Sequence, residues 1–312
     1  SETKDWIFGF LSYDLKNEVE HLQSNNFDGL QLPDLLFFVP DIVLTINKQQ
    51  QLAISTLSYP ALSIQAIYDA IQTEQLNLFS SSNFYNNSLC FYPRISKQAY
   101  LQKVQQVRHN ISLGNIYELN LCQEFFAEGA FINPLATFIQ LNKAAQSPFG
   151  AFVKYNDKYV LCGSPERFLQ KEGQQLISQP IKGTIKRAAL KSVDDALQQQ
   201  LYNDPKERAE NVMIVDLVRN DLSRIAEKGS VQVKELFGVY PFKTVHHLIS
   251  TVSAQLQAKK SFIDAIKCSF PMGSMTGAPK VMAMQLIEQY ETTKRGLYSG
   301  SIGYIDPRAN FD

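Results

Sequence analysis

The sequence predicts an α+β fold in which helices are mixed with mainly antiparallel strands. Three observations carry that expectation. Long segments of helical period recur with capping residues at their starts, at 97–113 and 206–228. Alternating segments pair about turn residues, Asn156-Asp157 and Glu172-Gly173, as hairpins do. The two kinds interleave along the chain, which argues for layers rather than for separate all-α and all-β parts.

Residues 6–15 begin at once with buried-type sequence, so residues are expected to precede Ser1. Asn25 to Gly29 reads as a loop, and Asp41 to Ile54 as two short strands about Asn47-Lys48-Gln49. Pro60 to Leu78 has helical spacing in Ile64, Ile67, Ile71 and Leu76. The Ser/Asn-rich stretch 80–88 reads as a linker, dividing an N-terminal region, 1–88, from a larger region, 94–312. Ser96 should cap a helix to about Leu113 with Leu101, Val104, Arg108 and Ile111 on one face and Gly114 as its stop. Tyr117 to Phe126 alternates as a strand. Asn133-Pro134 opens a helix to about Gln146, and two hairpins follow. They place Glu166 and Lys182 near matching ends of one antiparallel pair. Asp204-Pro205 opens a long helix to about Lys228, whose apolar middle, 212–218, should be buried on both sides. Strands at 231–237 and 244–254, a helix at 261–270, a loop to Gly277, a helix from Pro279 to Tyr290 and a strand at 297–305 complete the chain.

Composition narrows the function. In 312 residues, 45% are hydrophobic and 19% charged, which suits a globular chain with a sizeable core. Lys plus Arg and Asp plus Glu are equal at 30 each, so no basic footprint points to nucleic acid or to an anionic membrane. Cys90, Cys122, Cys162 and Cys268 are scattered without metal-ligand spacing, as expected of a reducing, cytoplasmic compartment.

Several residues have the makings of chemistry. Lys182 lies in Gln179-Pro180-Ile181-Lys182-Gly183-Thr184, where Pro180 fixes the backbone and Gly183 permits a tight turn or close approach of a ligand. Such a lysine is either a surface charge on a turn or a shielded amine able to act as a nucleophile. Glu166, after Ser164-Pro165, is either an exposed strand-end carboxylate or, if desolvated, a general acid. Glu210 shares a helix face with Ile214 and Leu217, so it needs a partner, either a cation or an arginine. Asp216, Arg219, Asp221 and Arg224 read equally as an ion-pair network or as the neighbourhood of a metal. His246 and His247 alternate across a strand, so one at most faces a given site. The loop from Phe270 to Lys280 leads glycines and hydroxyls into a proline-started helix, an arrangement that attracts a carboxylate or phosphate or simply makes a well-capped turn.

Taken together, these segments resemble the chorismate-utilising enzymes. The matching pieces are Ser164-Pro165-Glu166-Arg167-Phe168, 180–184, Ala209 to Asp221, Thr244 to Leu248, Gly273 to Lys280 and Tyr298 to Tyr304, in family order. The resemblance implies an α/β/β/α sandwich of two packed sheets with outer helices. It implies Lys182 as nucleophile, Glu166 as general acid, and substrate contacts at Gly183, Thr184, His247, Ser274, Thr276, Gly277 and Tyr298. It also implies Mg2+ held in part by Glu210, and ammonia from a separate glutamine amidotransferase subunit. Tryptophan or another ligand is an optional occupant of the N-terminal region. Lysine at 182 points to the branch that makes 4-amino-4-deoxychorismate; the alternatives are the anthranilate-forming branch and a non-catalytic subunit binding chorismate or tryptophan. Glu118 stands where the water-activating members carry lysine and the amine-transferring members glutamine. A second acidic metal-binding segment and an arginine for the enolpyruvyl carboxylate are expected beyond Asp312.

Overall fold

The computed structural model describes residues 4–57, 62–74 and 89–312. The chain opens with β1 (Ile7–Leu11), a single turn α1 (Lys16–Val19), β2 (Leu35–Phe38) and the hairpin β3 (Ile42–Ile46) and β4 (Leu52–Thr56). Asn47 closes that hairpin by accepting from the backbone N–H groups of Gln49 and Gln51. Next come α2 (Ile64–Thr73), β5 (Tyr92–Pro93), α3 (Lys97–Ser112), β6 (Glu118–Leu119), β7 (Phe125–Phe126) and α4 (Pro134–Ala145). Ser63, Ser96 and Asn133 cap the three helices by accepting from backbone N–H groups three residues on. The hairpin β8 (Phe149–Tyr155) and β9 (Lys158–Ser164) leads into β10 (Arg167–Glu172), β11 (Gln175–Gln179) and β12 (Ile181–Lys186). Then follow α5 (Lys191–Asn203), α6 (Pro205–Ser223), β13 (Gln232–Pro241), β14 (Val245–Gln255), α7 (Phe262–Ser269), β15 (Gly277–Ala278), α8 (Lys280–Tyr290) and β16 (Ser301–Ile305).

Two antiparallel sheets organise these elements. One has the order β16-β1-β2; the other has the order β10-β11-β14-β12, with β13 also pairing with β14. Phe311 bridges Lys171 of β10 and Ile305 of β16, tying the two together. Helices α6 and α7 cover the second sheet, and the core between them holds Leu176, Val215, Leu222, Val252 and Ala265.

The eleven-residue strand β14 is the spine. Strands β11 and β12 run end to end along one of its edges, and β13 runs along the other. Pro180 separates β11 from β12 because it has no N–H to donate, yet its carbonyl still accepts from Ser250 at 3.2 Å.

Several expectations change. The long helix ends at Ser223, and only one side of its middle is buried: Ile214 and Val215 are enclosed while Val212 is 40% exposed. Its buried residues, Asn211, Ile214, Val215, Asp221 and Leu222, follow the helical period of a surface helix even though the apolar run is nearly continuous. On α3 the inward residue is Val107, with Leu101 and Ile111 exposed, because the helix docks on Ile116, Leu286 and Tyr290. The 117–126 stretch pairs only at 118–119 and 125–126, and 297–300 is a turn, with the strand starting at Ser301. Helix α5 and strand β2 were not anticipated; α5 has no side-chain cap, and β2 is four apolar residues with no alternation. The linker at 80–88 lies outside the described residues.

Candidate active site

Lys182 owes its direction to a β-bulge. Ile181 pairs with Ile249 and Thr184 with His247, so Lys182 and Gly183 together face the single residue Leu248. Such a bulge bends the strand and re-aims the side chain it carries. Gly183 makes it possible, since its φ of 103° is strained for any L side chain, and an added Cβ would lie 3.1 Å from Glu207 Oε2 and from Leu248 Cβ. Behind it, Asn211 of α6 donates to the Lys182 carbonyl, and Ser250 of β14 donates to Asn211 Oδ1 at 2.5 Å.

The amine of Lys182 is largely withdrawn from solvent, with 14% of the side chain exposed. Its Nζ lies 3.0 Å from Glu118 Oε1 and donates to Asn120 Oδ1 at 3.4 Å. Both partners come from the segment around β6, which is fastened in turn to the loop before α8. Leu119 pairs with Gly277 and Glu118 with Ala278. Asn120 N–H donates to the Thr276 carbonyl and Asn120 Nδ2 to the Ser274 carbonyl, both at 2.9 Å. No side chain fits at 277, where a Cβ would come within 2.3 Å of the Glu118 carbonyl oxygen.

Glu166 sits where β9 passes into β10, and its Oε1 accepts from Ser274 Oγ at 2.6 Å and from the Ile181 N–H at 3.1 Å. The second bond ties the carboxyl group to the residue before Lys182. Burial pushes the Glu166 pKa up, opposed by the Ser274 and Ile181 hydrogen bonds and by the Lys182 charge. Burial likewise raises Glu118, with Lys182 opposing and the nearby Glu210 adding to the rise.

Other expected residues surround this centre at varying distance. Thr184 Oγ1 and His247 Nδ1 are 2.8 Å apart on neighbouring strands, and burial lowers the His247 pKa. His246 turns away into the core, 2.9 Å from Asp194. Glu210 is one-third exposed and pairs with the exposed Lys206 at 3.2 Å. Thr276 is fully buried, and its hydroxyl donates within its own turn to Met272 and Gly273 carbonyls. Tyr298 is 62% exposed on a turn. It lines, with Glu166, Met275 and Arg295, a cleft of about 1020 Å³ between the β8–β9 hairpin and the β1–β16 pair. The 216–224 cluster does not form one network. Asp216 and Arg219 make an exposed pair, whereas Asp221 is buried and accepts from Lys280 at 2.7 Å.

Two residues went unnoticed in the sequence. Asn120 holds both the lysine and the Ser274 loop. Arg295 is buried, doubly bonded to Glu291, and donates to the carbonyls of Met275 and Asn120, pinning loop and strand together. Burial opposes its charge, but the Glu291 carboxylate holds its pKa above the usual arginine value. The signal available for Arg295 was its i,i+4 spacing from Glu291.

The arrangement therefore brings a shielded amine, a carboxyl group biased toward its protonated form, a second carboxylate against the amine, and a hydroxyl-lined loop into one region. Among the described residues no three His, Cys, Asp or Glu side chains gather as a self-sufficient metal site. A hard cation at Glu210 would take one protein carboxylate and complete its shell with substrate oxygens and water, a pattern that suits Mg2+.

Comparison with known proteins gives this arrangement a context. The family model described as chorismate binding enzyme matches residues 1–312. The chain is 40% identical over 304 residues to aminodeoxychorismate synthase component 1 of Klebsiella aerogenes, covering 97% of this chain and 66% of that protein. It is 36% identical to the protein of the same name from Escherichia coli, with the same coverage. The chain thus spans just under two-thirds of the length of these relatives. Anthranilate synthase component I from Streptococcus pneumoniae superposes with a TM-score of 0.86 at 30% identity, covering 98% of this chain and 70% of that one.

Proposed function

This chain belongs to the chorismate-binding enzymes, and from that premise we propose that it carries the chorismate-aminating centre of an aminodeoxychorismate synthase component 1. It would convert chorismate and ammonia to 4-amino-4-deoxychorismate, on the route to 4-aminobenzoate and folate. The observation that carries the reading is Lys182, shielded in its bulge with Glu166 anchored one residue away. The similarity to proteins of that name supports it.

In this mechanism the neutral amine of Lys182 attacks C2 of chorismate as the C4 hydroxyl departs. Glu166 donates the proton that lets the hydroxyl leave as water; its raised pKa keeps that proton available. Ammonia then bonds to C4, the C2–nitrogen bond to Lys182 breaks, and Glu166 recovers a proton from the new ammonium group. Two displacements on opposite ends of one conjugated system replace a direct exchange of hydroxyl for amine. Ser274 orients Glu166, Gly183 and Gly277 let the bulge and the β6 segment pack closely around the lysine, and Thr184 with His247 offers polar contacts beside it. Thr276 shapes the loop from inside, and Tyr298 stands at the cleft's rim. Mg2+, held in part by Glu210, would neutralise the ring carboxylate of chorismate when bound. Ammonia would come from a glutamine amidotransferase subunit, and the four free cysteines suit a cytoplasmic setting. No described helix is long and apolar enough to cross a membrane.

Lys182→Ala in the full-length protein tests the reading. Product formation from chorismate and an ammonium salt should be lost; an undiminished rate refutes the nucleophile. The second reading is anthranilate synthase component I, favoured by the structural likeness to the Streptococcus protein. Strong anthranilate fluorescence in the same incubation would establish it instead.

A further inference from the structure

From its bonds we infer that Arg295 is a positioning residue for the amination: it fixes the strand that meets Lys182 and the loop that meets Glu166 relative to each other. The inference rests on the chorismate reading above and adds a residue to it. The hydrogen bonds of Arg295 exclude it as a contact to the substrate.

A guanidinium has five N–H donors and no acceptor. In Arg295 each of them meets a protein acceptor. Nε donates to Glu291 Oε2 at 3.0 Å and Nη2 to Glu291 Oε1 at 2.7 Å, a two-pronged carboxylate pair. Nη2 also donates to the Asn120 carbonyl at 2.8 Å. Nη1 donates to the Met275 carbonyl at 2.7 Å and to Ser299 Oγ at 3.3 Å. The side chain is 3% exposed, and its guanidinium sits 4.5 Å from the centre of the Tyr13 ring. Arg295 borders the cleft, yet it has no donor left for an anionic substrate.

The two carbonyls belong to the two arms of the site. Asn120 accepts from the Lys182 amine through its side chain, and Arg295 holds the backbone of that same residue. Met275 follows Ser274, whose hydroxyl donates to Glu166 Oε1. Glu291 adds a second grip on the lysine arm, since its Oε1 also accepts from the Cys122 N–H at 2.9 Å. The arms meet directly as well, in the two-residue ladder of β6 with β15 and in the bonds from Asn120 to the Thr276 and Ser274 carbonyls. To these contacts Arg295 adds a rigid planar brace, because a fork bonded at every donor cannot turn without breaking several bonds. Lysine cannot copy it, having three donors about one point. Without the brace the amine and the acid lose their common reference, and a misplacement of about 1 Å at reacting groups costs about 100-fold in rate.

The test is the rate of covalent adduct formation on Lys182 across chorismate concentrations, with Mg2+ and without ammonia, in full-length protein with and without Arg295→Lys. Urea unfolding of both proteins shows whether the variant is folded. The maximal rate should fall about 100-fold while half-saturation stays within about threefold, the pattern of lost alignment and not of lost binding. A loss that lies in half-saturation overturns the proposal, because it makes Arg295 a substrate contact. So does a lower urea midpoint with an undiminished maximal rate, because it leaves Arg295 a role in stability alone. Should Arg295→Lys fail to fold, Glu291→Asp serves. It keeps the ion pair, draws the guanidinium off both carbonyls and should lower the maximal rate in the same way; an unchanged rate contradicts the assignment. Absence of any adduct in the unsubstituted protein defeats the chorismate reading itself, and this one with it.

Discussion

At Lys182 the backbone does the aiming, and Gly183 is the residue that permits it. Gly183→Ala would force a Cβ into a left-handed conformation against Leu248, costing about 1–3 kcal/mol of backbone strain. The expected result is a lower urea midpoint together with slower adduct formation, because the bulge relaxes by turning the lysine. Glu166 makes the second prediction at this scale. Glu166→Gln keeps the bond from the Ile181 N–H but has no acidic proton, so turnover should fall by about 10²–10⁴. The pH profile gives the sign. A pKa raised in the folded protein keeps the acid form present to higher pH, so turnover should decline on the alkaline side as that form is lost. The Gln variant should lack this limb. Lys182 and Glu166 were legible because a Pro-x-Lys-Gly segment and a Ser-Pro-Glu segment are local patterns. Glu118 stood out only through the resemblance, and Asn120 lay in a stretch that read only as a strand, since nothing in the alternation says which bulge faces it.

Among the elements, α6, α7 and α8 are joined by one buried contact. Lys280 Nζ donates to Asp221 Oδ2 at 2.7 Å and to the carbonyls of Ser269 and Pro271, holding the loop that presents Ser274. Lys280→Met leaves Asp221 buried without a counter-charge and should cost about 3–5 kcal/mol. Adding Asp221→Leu should recover most of that in urea unfolding, since an apolar pair avoids the desolvation of two charges. The helices themselves were readable from Ser96, Asn133, Asp204 and Ser261, each of which caps a helix as its type requires. What misled was the apolar run in α6. Val212 faces solvent because only one face of that helix meets β12 and β14, and a run of seven residues cannot show which. Helix α5 was missed for the opposite reason: Leu190 caps nothing, and its buried Asp194 is held by Arg187 and His246 from beyond the helix.

For the whole molecule, that Asp194 cluster ties α5 to β14 and the start of the loop after β12, and it links stability to pH. The Arg187 guanidinium, followed by the Ala188 N–H and the His246 ring, holds the Asp194 carboxyl well below the usual carboxylate range. A depressed folded-state pKa adds stability that is present above the ordinary aspartate value and is lost as pH falls through the folded one. Urea unfolding of Asp194→Asn beside the unsubstituted protein should therefore differ most at neutral pH, and the difference should narrow on acidification; a gap that widens contradicts the linkage. The antiparallel pairing and the mixture of helices and strands were visible from turn residues and periods. The strand order was not, because β11 and β12 share an edge of β14 across about 60 residues of intervening chain.

The most direct measurement is the mass of the full-length protein after exposure to chorismate and Mg2+ without ammonia, with the modified peptide then located. The account predicts a gain equal to chorismate less one water, on the peptide bearing Lys182, absent in Lys182→Ala and discharged when ammonia is supplied. An unmodified protein that nevertheless aminates chorismate would contradict it.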